Sequence, residues 1–388
     1  MKKKIFISVG DPSGDIHAAR LMKKINDSID AEFLGIGGKL MEEQGLNSIT
    51  SLKDISVVGF WEVAKKYRFF KRLLEQSKDI LHKENIDLFL PVDYPGFNLR
   101  LSAFSKKNNI PVVYYIAPQL WAWGNNRAKK LNGKIDKLCV VFPFEEEYFK
   151  NQGIDAEYIG HPLLEDPNFN IPYQIKENLS KTKLDKSKSD FLQKDNNLIA
   201  FMPGSRQQEI KRHNSLYIQC IEKLSAYNSS LKFGIARNSN ISIADFDVYS
   251  KFKNVEIYND SRELMKKAYC GIVKTGTSTL EAALLGMPFT MIYKTSALTY
   301  NIGKHLVNLP YISLVNILRE KEVIKELIQK DANAELITKS IIELIENKIK
   351  YNSIIDEFDK IREYLGNKKA SENALKIIIN FLENMDRK

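Results

Sequence analysis

The sequence predicts an α/β protein made of two doubly wound parallel sheets in tandem. Three observations carry that expectation. Short apolar runs alternate with amphipathic helical patterns from residue 4 to about residue 160. The stretch from Pro162 to Asn197 then turns to Lys, Ser, Asn and Asp with weak periodicity, and a second alternation follows it. At 388 residues the chain is long enough for two domains that each bury a core.

The first strand is Lys4–Val9, followed by a glycine-bounded turn and a helix from Asp15 to about Ile25. Ala31–Ile36, Leu88–Val92, Val112–Ile116, Lys137–Val141 and Ala156–Tyr158 read as further strands. Helical segments lie between most of them, as parallel pairing requires. Residues 1–165 make the first domain and 166–197 a linker, with Lys181–Ser189 as its clearest signal. Strands at Leu198–Met202, Leu231–Ala236, Val255–Ile257, Cys270–Val273 and Phe289–Tyr293 build the second domain, 198–365. From about Asn333 the pattern is helical only, and residues 366–388 form a terminal helix placed to pack back on the first domain.

Composition narrows the class. Cys139, Cys220 and Cys270 lack C-x-x-C spacing, which points to packed thiols in a reducing compartment, with no disulfide and no structural metal. The longest uncharged stretch, Asn108–Asn126, is broken by Pro111, Pro118 and Gly124, so no transmembrane helix is expected. Met1–Lys4 runs straight into a strand instead of a signal peptide, which places the chain in the cytoplasm. The 58 Lys and Arg against 48 Asp and Glu give +10, which suits an anionic partner or simply a solvated lysine-rich surface. No nucleic-acid module pattern is present, so nucleic acid is not expected as a partner.

Doubly wound sheets bind ligands at the carboxyl ends of their strands, so the loops after strands hold the candidate residues. Gly10–Asp15 offers Asp11 as an acceptor and Ser13 as a donor, with Gly14 permitting close approach; the alternative is that Ser13 or Asp15 merely caps the helix. Asp93 follows the strand at Leu88–Val92 in an apolar, proline-fixed loop. There it reads either as a general base made more basic by desolvation or as a helix cap, a task for which Asn98 is better placed. In the second domain, Gly204 and Ser205 bring backbone N–H groups to a helix start and Arg206 adds a fork of donors, a diphosphate site. Lys274, Thr275, Gly276, Thr277, Ser278 and Thr279 form another such turn suited to phosphate or ribose. Glu281 is placed to accept ribose hydroxyls, the alternative being a Thr-capped helix with a solvated Glu.

Two aromatic segments remain. Trp121 and Trp123 lie in a Pro- and Gly-bounded stretch and form either core or the apolar wall of a site. In Phe60–Leu74, helical spacing gathers Val63, Tyr67, Phe70 and Leu74 into a sheet-facing stripe and leaves Phe69 and Leu73 outside it. With Lys65, Arg68, Lys71 and Arg72 on the other side, the wide apolar arc of Phe60, Trp61, Phe69, Phe70 and Leu73 reads as a contact with a bilayer surface, or as an ordinary core helix.

Taken together these loops resemble the lipid-A-disaccharide synthase family, glycosyltransferases of the GT-B fold. The resemblance rests on Val9–Asp15, Val57–Val63, Asp93–Asn98, Ala117–Trp123, Ile159–Leu163, Pro203–Arg206, Gly276–Glu281 and Ser313–Asn316, in family order across nearly the whole chain. It implies inverting, metal-independent transfer of 2,3-diacylglucosamine from UDP-2,3-diacylglucosamine to 2,3-diacylglucosamine 1-phosphate (lipid X), in lipid A biosynthesis for a Gram-negative outer membrane. No cofactor is implied. Asp93 would be the base, Arg206 would hold the departing diphosphate beside the Gly276–Thr279 turn, and Asn316 would contribute a further catalytic contact with Asp11. The chain departs from the family in carrying Asp11 where many members have Glu, and Lys274-Thr275 where a smaller pair is common. The resemblance also implies a cytoplasmic monomer or homodimer held peripherally at the anionic inner-membrane surface, which favours membrane contact for the Phe60–Leu74 segment. Alternatives are another GT-B enzyme using UDP-N-acetylglucosamine, either a peptidoglycan-precursor transferase or a 2-epimerase, and a non-catalytic binder of nucleotide sugars or anionic lipid.

Overall fold

Parallel strands buried on both faces generate one plan twice along this chain. The structure, a computed structural model, describes residues 2–55, 66–123, 125–169, 194–238, 241–296, 300 and 309–386. Phe60, Trp61, the Trp123 side chain and the linker core at 170–193 lie outside the described residues. One unit comprises Met1–Glu165, Leu298–Asn308 and Leu365–Lys388, the other Asp166–Ala297 and Leu309–Tyr364.

Unit 1 holds strands β1 (Lys3–Ser8), β2 (Ala31–Gly37), β3 (Leu46–Ser51), β4 (Leu88–Pro91), β5 (Val113–Tyr115), β6 (Lys137–Val140) and β7 (Ala156–Tyr158). They pair in the orders β3-β2-β1-β4 and β5-β6-β7, all parallel. Isolated bridges from Phe89 to Val112 and from Val92 to Tyr115 continue the first row into the second. Its described helices include α1 (Pro12–Asn26), α2 (Lys39–Glu42), α3 (Leu52–Ile55), α4 (Tyr67–Lys83), α5 (Pro95–Lys107) and α6 (Pro143–Lys150). Alternation in β1 splits the core: Ile5 and Ile7 pack with α1, while Phe6 faces Leu73 and Leu81 of α4 and Leu101 of α5.

Unit 2 holds β8 (Asp195–Met202), β9 (Lys232–Ala236), β10 (Val255–Tyr258), β11 (Ala268–Lys274), β12 (Phe289–Tyr293) and β13 (Glu326–Ile328), in the parallel order β10-β9-β8-β11-β12-β13. Its helices include α7 (Gln207–Tyr227), α8 (Ser261–Lys267), α9 (Thr277–Leu284), α10 (Leu314–Arg319), α11 (Ala334–Glu346) and α12 (Lys348–Leu365). The terminal helix, α13 (Ala370–Asp386), returns to unit 1, where Ala374, Ile378 and Leu382 join the core cluster of Ile5 and Ile7.

Strands β3 and β13 escape the sequence pattern. Leu46-Asn-Ser-Ile-Thr-Ser51 is a largely polar edge strand, and β13 is three residues long. The stripe of α4 is also displaced from the one expected. Leu73, Leu74, Ser77 and Leu81 are buried, Phe69 and Phe70 are half-buried against the same cluster, and Tyr67 is 62% exposed. Leu73 is therefore a core residue and not a lipid contact, because the i, i+4 series that meets the sheet runs 69, 73, 77, 81. Arg68, Lys71 and Arg72 stand exposed on the other face. No described helix is long and apolar enough to cross a membrane.

Candidate active site

In unit 1 the strand order reverses between β1 and β4, so the loops that follow them open side by side. Asp11 caps α1, accepting from the Gly14 N–H at 2.8 Å. Neither Ser13 nor Asp15 takes that position. Ser13 is exposed, and the buried Asp15 carboxylate instead accepts from the N–H groups of Gly38 (2.9 Å), Met41 (3.2 Å) and Leu40 (3.3 Å), capping the turn into α2. A Cβ on Gly38 would lie 2.4 Å from Asp15 Oδ2, which is why glycine stands there.

Asp93 sits in a strained turn held by its own backbone. Asp93 and Tyr94 adopt φ of 41° and 53°, and Ile116 opposite them φ of 60°. Left-handed backbone costs about 1–2 kcal/mol per non-glycine residue, so the surroundings must enforce it. They do so through the Asp93 main chain: its N–H reaches Tyr115 O and Ile116 O at 3.3 Å, and its carbonyl accepts from the Tyr114 hydroxyl and from Asn98 Nδ2 at 2.8 Å. Buried Asn98 also donates to Ser8 O and Val92 O, tying β1 to β4. Asn98 is accordingly not the cap of α5, a position that Tyr94 occupies with Pro95 next to it.

These bonds engage the Asp93 main chain and not its carboxyl. The residue is open to solvent by accessible area, yet enough protein surrounds the carboxyl to raise its pKa to about 7. Desolvation is the main cause and the Asp11 charge the second, opposed by the Tyr94 N–H. A carboxylate poised near neutrality at a strand end is suited to take a proton from a hydroxyl.

Sequence reasoning missed Glu145. Fully buried at the start of α6, it accepts from Trp121 Nε1 at 2.8 Å and from the N–H groups of Phe142 (2.9 Å) and Val141 (3.0 Å). Burial pushes its pKa up to about 7 against those donors. Trp121, buried and edge-on to Phe144, is thus packed in the core, with its N–H taken by Glu145. Glu145 lies in a run of three glutamates, where only tertiary structure distinguishes the buried one.

The reversal in unit 2 falls between β8 and β11. Gly204, with φ of 114°, turns the chain into α7, and Ser205 and Arg206 stand exposed at its start. One carboxylate gathers this loop and the next. Glu209 accepts from Lys274 Nζ (2.8 Å), the Ser205 N–H (3.1 Å) and Arg206 Nη1 (3.3 Å). Buried His213 bonds through Nδ1 to Pro203 O at 2.9 Å and fixes the loop from beneath. Arg206 and Lys274, 68 residues apart in sequence, therefore converge on Glu209.

After β11, Gly276 (φ 139°), exposed Thr277 and half-buried Ser278 lie at the start of α9. Thr275 is fixed by its N–H to Ile292 O at 2.9 Å. Thr279 is buried with its hydroxyl donating to Gly276 O at 2.8 Å, so it braces the turn and offers no donor to a ligand. Glu281 is not a solvated Glu: Oε1 accepts from Arg262 Nη2 (2.9 Å) and Nε (3.2 Å), and the same guanidinium pairs with Asp166. Among the described residues Oε2 meets no donor.

Asn316 is a correction. It is fully buried, donating to Glu326 Oε1 (2.8 Å) and Ile324 O (2.9 Å) and accepting from Val323 N–H (2.8 Å) and Ile324 N–H (3.0 Å). Every polar atom of its amide is engaged in holding the turn before β13, so it is structural in this state. Asp245-Phe246-Asp247 has Asp-x-Asp spacing, but Asp245 accepts from Gln207 Nε2 at 3.1 Å. Among the described residues no group of three or more His, Cys, Asp or Glu is placed to hold a metal ion.

The chain matches the family model described as lipid-A-disaccharide synthetase over residues 5–378. It is 36% identical over 386 residues to the lipid-A-disaccharide synthase of Persephonella marina, covering 97% of this chain and 98% of that one. The Coxiella burnetii (strain CbuG_Q212) lipid-A-disaccharide synthase is 30% identical over 383 residues, covering 98% and 99%. Solved structures share the fold at low identity. The Neisseria meningitidis UDP-GlcNAc 2-epimerase bound to UDP-GlcNAc aligns with a TM-score of 0.59 at 15% identity, covering 99% of this chain and 100% of that one. Acinetobacter baumannii MurG aligns with a TM-score of 0.57 at 12% identity, covering 98% and 100%. The fold is thus that of GT-B glycosyltransferases and epimerases.

Proposed function

The chain belongs to the lipid-A-disaccharide synthase family of glycosyltransferases, and we propose that it moves 2,3-diacylglucosamine from its UDP donor to the 6-hydroxyl of 2,3-diacylglucosamine 1-phosphate. The observation that carries this reading is Asp93, a carboxyl with a pKa near 7 rigidly presented at the strand-order reversal of unit 1. Asp93 takes the proton as the acceptor oxygen forms its bond to the anomeric carbon; the bond from that carbon to the UDP oxygen breaks, and the configuration inverts. Negative charge then builds on the leaving diphosphate. Arg206, Lys274 and the Ser205 N–H supply the positive field that stabilises it, which supports a reaction driven without a metal. Thr277, Ser278 and the open oxygen of Glu281 take the remaining phosphate and ribose contacts.

Exposed Arg68, Lys71 and Arg72 on α4 are suited to anionic headgroups, so peripheral binding at the inner-membrane surface is part of the same proposal. The test is an assay of purified protein with both acylated substrates in mixed micelles and a chelator, read by mass spectrometry. The expected products are the tetraacyl disaccharide phosphate and UDP. Turnover of UDP-N-acetylglucosamine without any turnover of the acylated sugars would overturn the assignment.

A further inference from the structure

The donors assigned to the diphosphate already have an anion of their own, the Glu209 carboxylate. Ser205 N–H and the side chains of Arg206 and Lys274 all end on it, between 2.8 and 3.3 Å away. The approach is built into the loop, since a Cβ on Gly204 would lie 2.2 Å from Glu209 Oε2. Desolvation opposes the charge on Glu209, but Lys274 and then Arg206 and the Ser205 N–H outweigh it, so its pKa falls below the ordinary value. At neutral pH the group is therefore an anion facing the site.

We propose that Glu209 is the positioning and charge-balancing residue of the donor site, a stand-in for the diphosphate that keeps Arg206 and Lys274 gathered until the donor arrives. This rests on the UDP-donor reading of unit 2. Two cations against one carboxylate leave this cluster one net positive charge. When a diphosphate arrives, Arg206 and Lys274 turn part of their hydrogen bonding to it, and Glu209 keeps enough hold on both to repel the anion slightly. The gain is release: the diphosphate is the leaving group as well as the handle, and an unopposed pair of cations would retain UDP after transfer.

The measurement is calorimetric titration of UDP into the wild-type protein, Glu209→Gln and Glu209→Ala, with folding checked by thermal melting and donor KM and kcat taken in parallel. Removing the opposing charge is expected to tighten UDP about tenfold at low salt, with the gain shrinking as salt rises. Donor KM and kcat should fall together as UDP release slows. Glu209→Ala decides the sign if the Gln variant fails to fold. Equal or weaker UDP binding in the folded variants would reduce Glu209 to a scaffold and overturn the proposal. Absence of UDP binding in the wild-type protein would instead overturn the donor-site reading on which it stands.

Discussion

The Tyr94 ring lies on Gly10 with no space for a side chain between them: a Cβ on Gly10 would meet Tyr94 Cγ and Cδ2 at 2.2 Å. The loop after β1 and the loop after β4 are thereby locked face to face, and Asp93 is the residue next to the lock. Gly10→Ala must push Tyr94 aside and carry the Asp93 turn with it. Turnover is expected to fall about a hundredfold, the effect of misplacing a reacting group by an ångström. A steady-state assay that found Gly10→Ala near wild type would show that the two loops do not position the base.

Asp93→Ala is expected to abolish transfer while leaving UDP binding intact, since Asp93 is in unit 1 and the diphosphate donors we propose, Arg206 and Lys274, are in unit 2. Arg206→Ala should weaken both. Parallel turnover and UDP titration separate the two roles; near-normal turnover of Asp93→Ala would remove it as the base.

The pH profile follows from the raised pKa of Asp93. The base works only when ionised, so kcat/KM should climb as pH rises through about 7 and level off above it. Asp11→Asn keeps a competent helix cap but removes the like charge that helps raise Asp93. The rising limb should then move to lower pH, and a limb that stays in place would mean that the Asp11 charge is not felt.

Leu73→Ser should destabilise the fold by about 3 kcal/mol, because a buried leucine is truncated and a hydroxyl is left in apolar surroundings. Vesicle binding is the wrong readout for that change. Glu substitutions at Arg68, Lys71 and Arg72 should instead reduce sedimentation with anionic vesicles without lowering the melting temperature by more than a few degrees. Unchanged sedimentation would detach α4 from the membrane reading.

Asn316→Ala leaves a carboxylate, a carbonyl and two N–H groups short of partners and is expected to cost about 3 kcal/mol. Chemical denaturation measures it. A stable variant with raised donor KM would return Asn316 to substrate binding.

All the strands but β3 and β13, and their parallel alternation, were legible in the sequence, because period and punctuation are local properties of the chain. β1 begins within a residue of its expected start, and Asp93, Arg206 and the Gly276 turn all follow strands as read. Lipid-A-disaccharide synthase motifs likewise declare themselves by order and spacing alone. Tertiary structure decided what each polar side chain does with its hydrogen bonds. Asn316 and Thr279 were drawn inward, Asp15 was sent to α2, and the i, i+4 phase of α4 turned Leu73 into the core. Glu145 and Glu209 acquired meaning only from partners in other loops: Trp121 in one case, Lys274 in the other. A charge in a sequence has no address until the fold brings its counterpart within about 3 Å and removes the water between them, and that is a property of the folded loops and not of any run of residues.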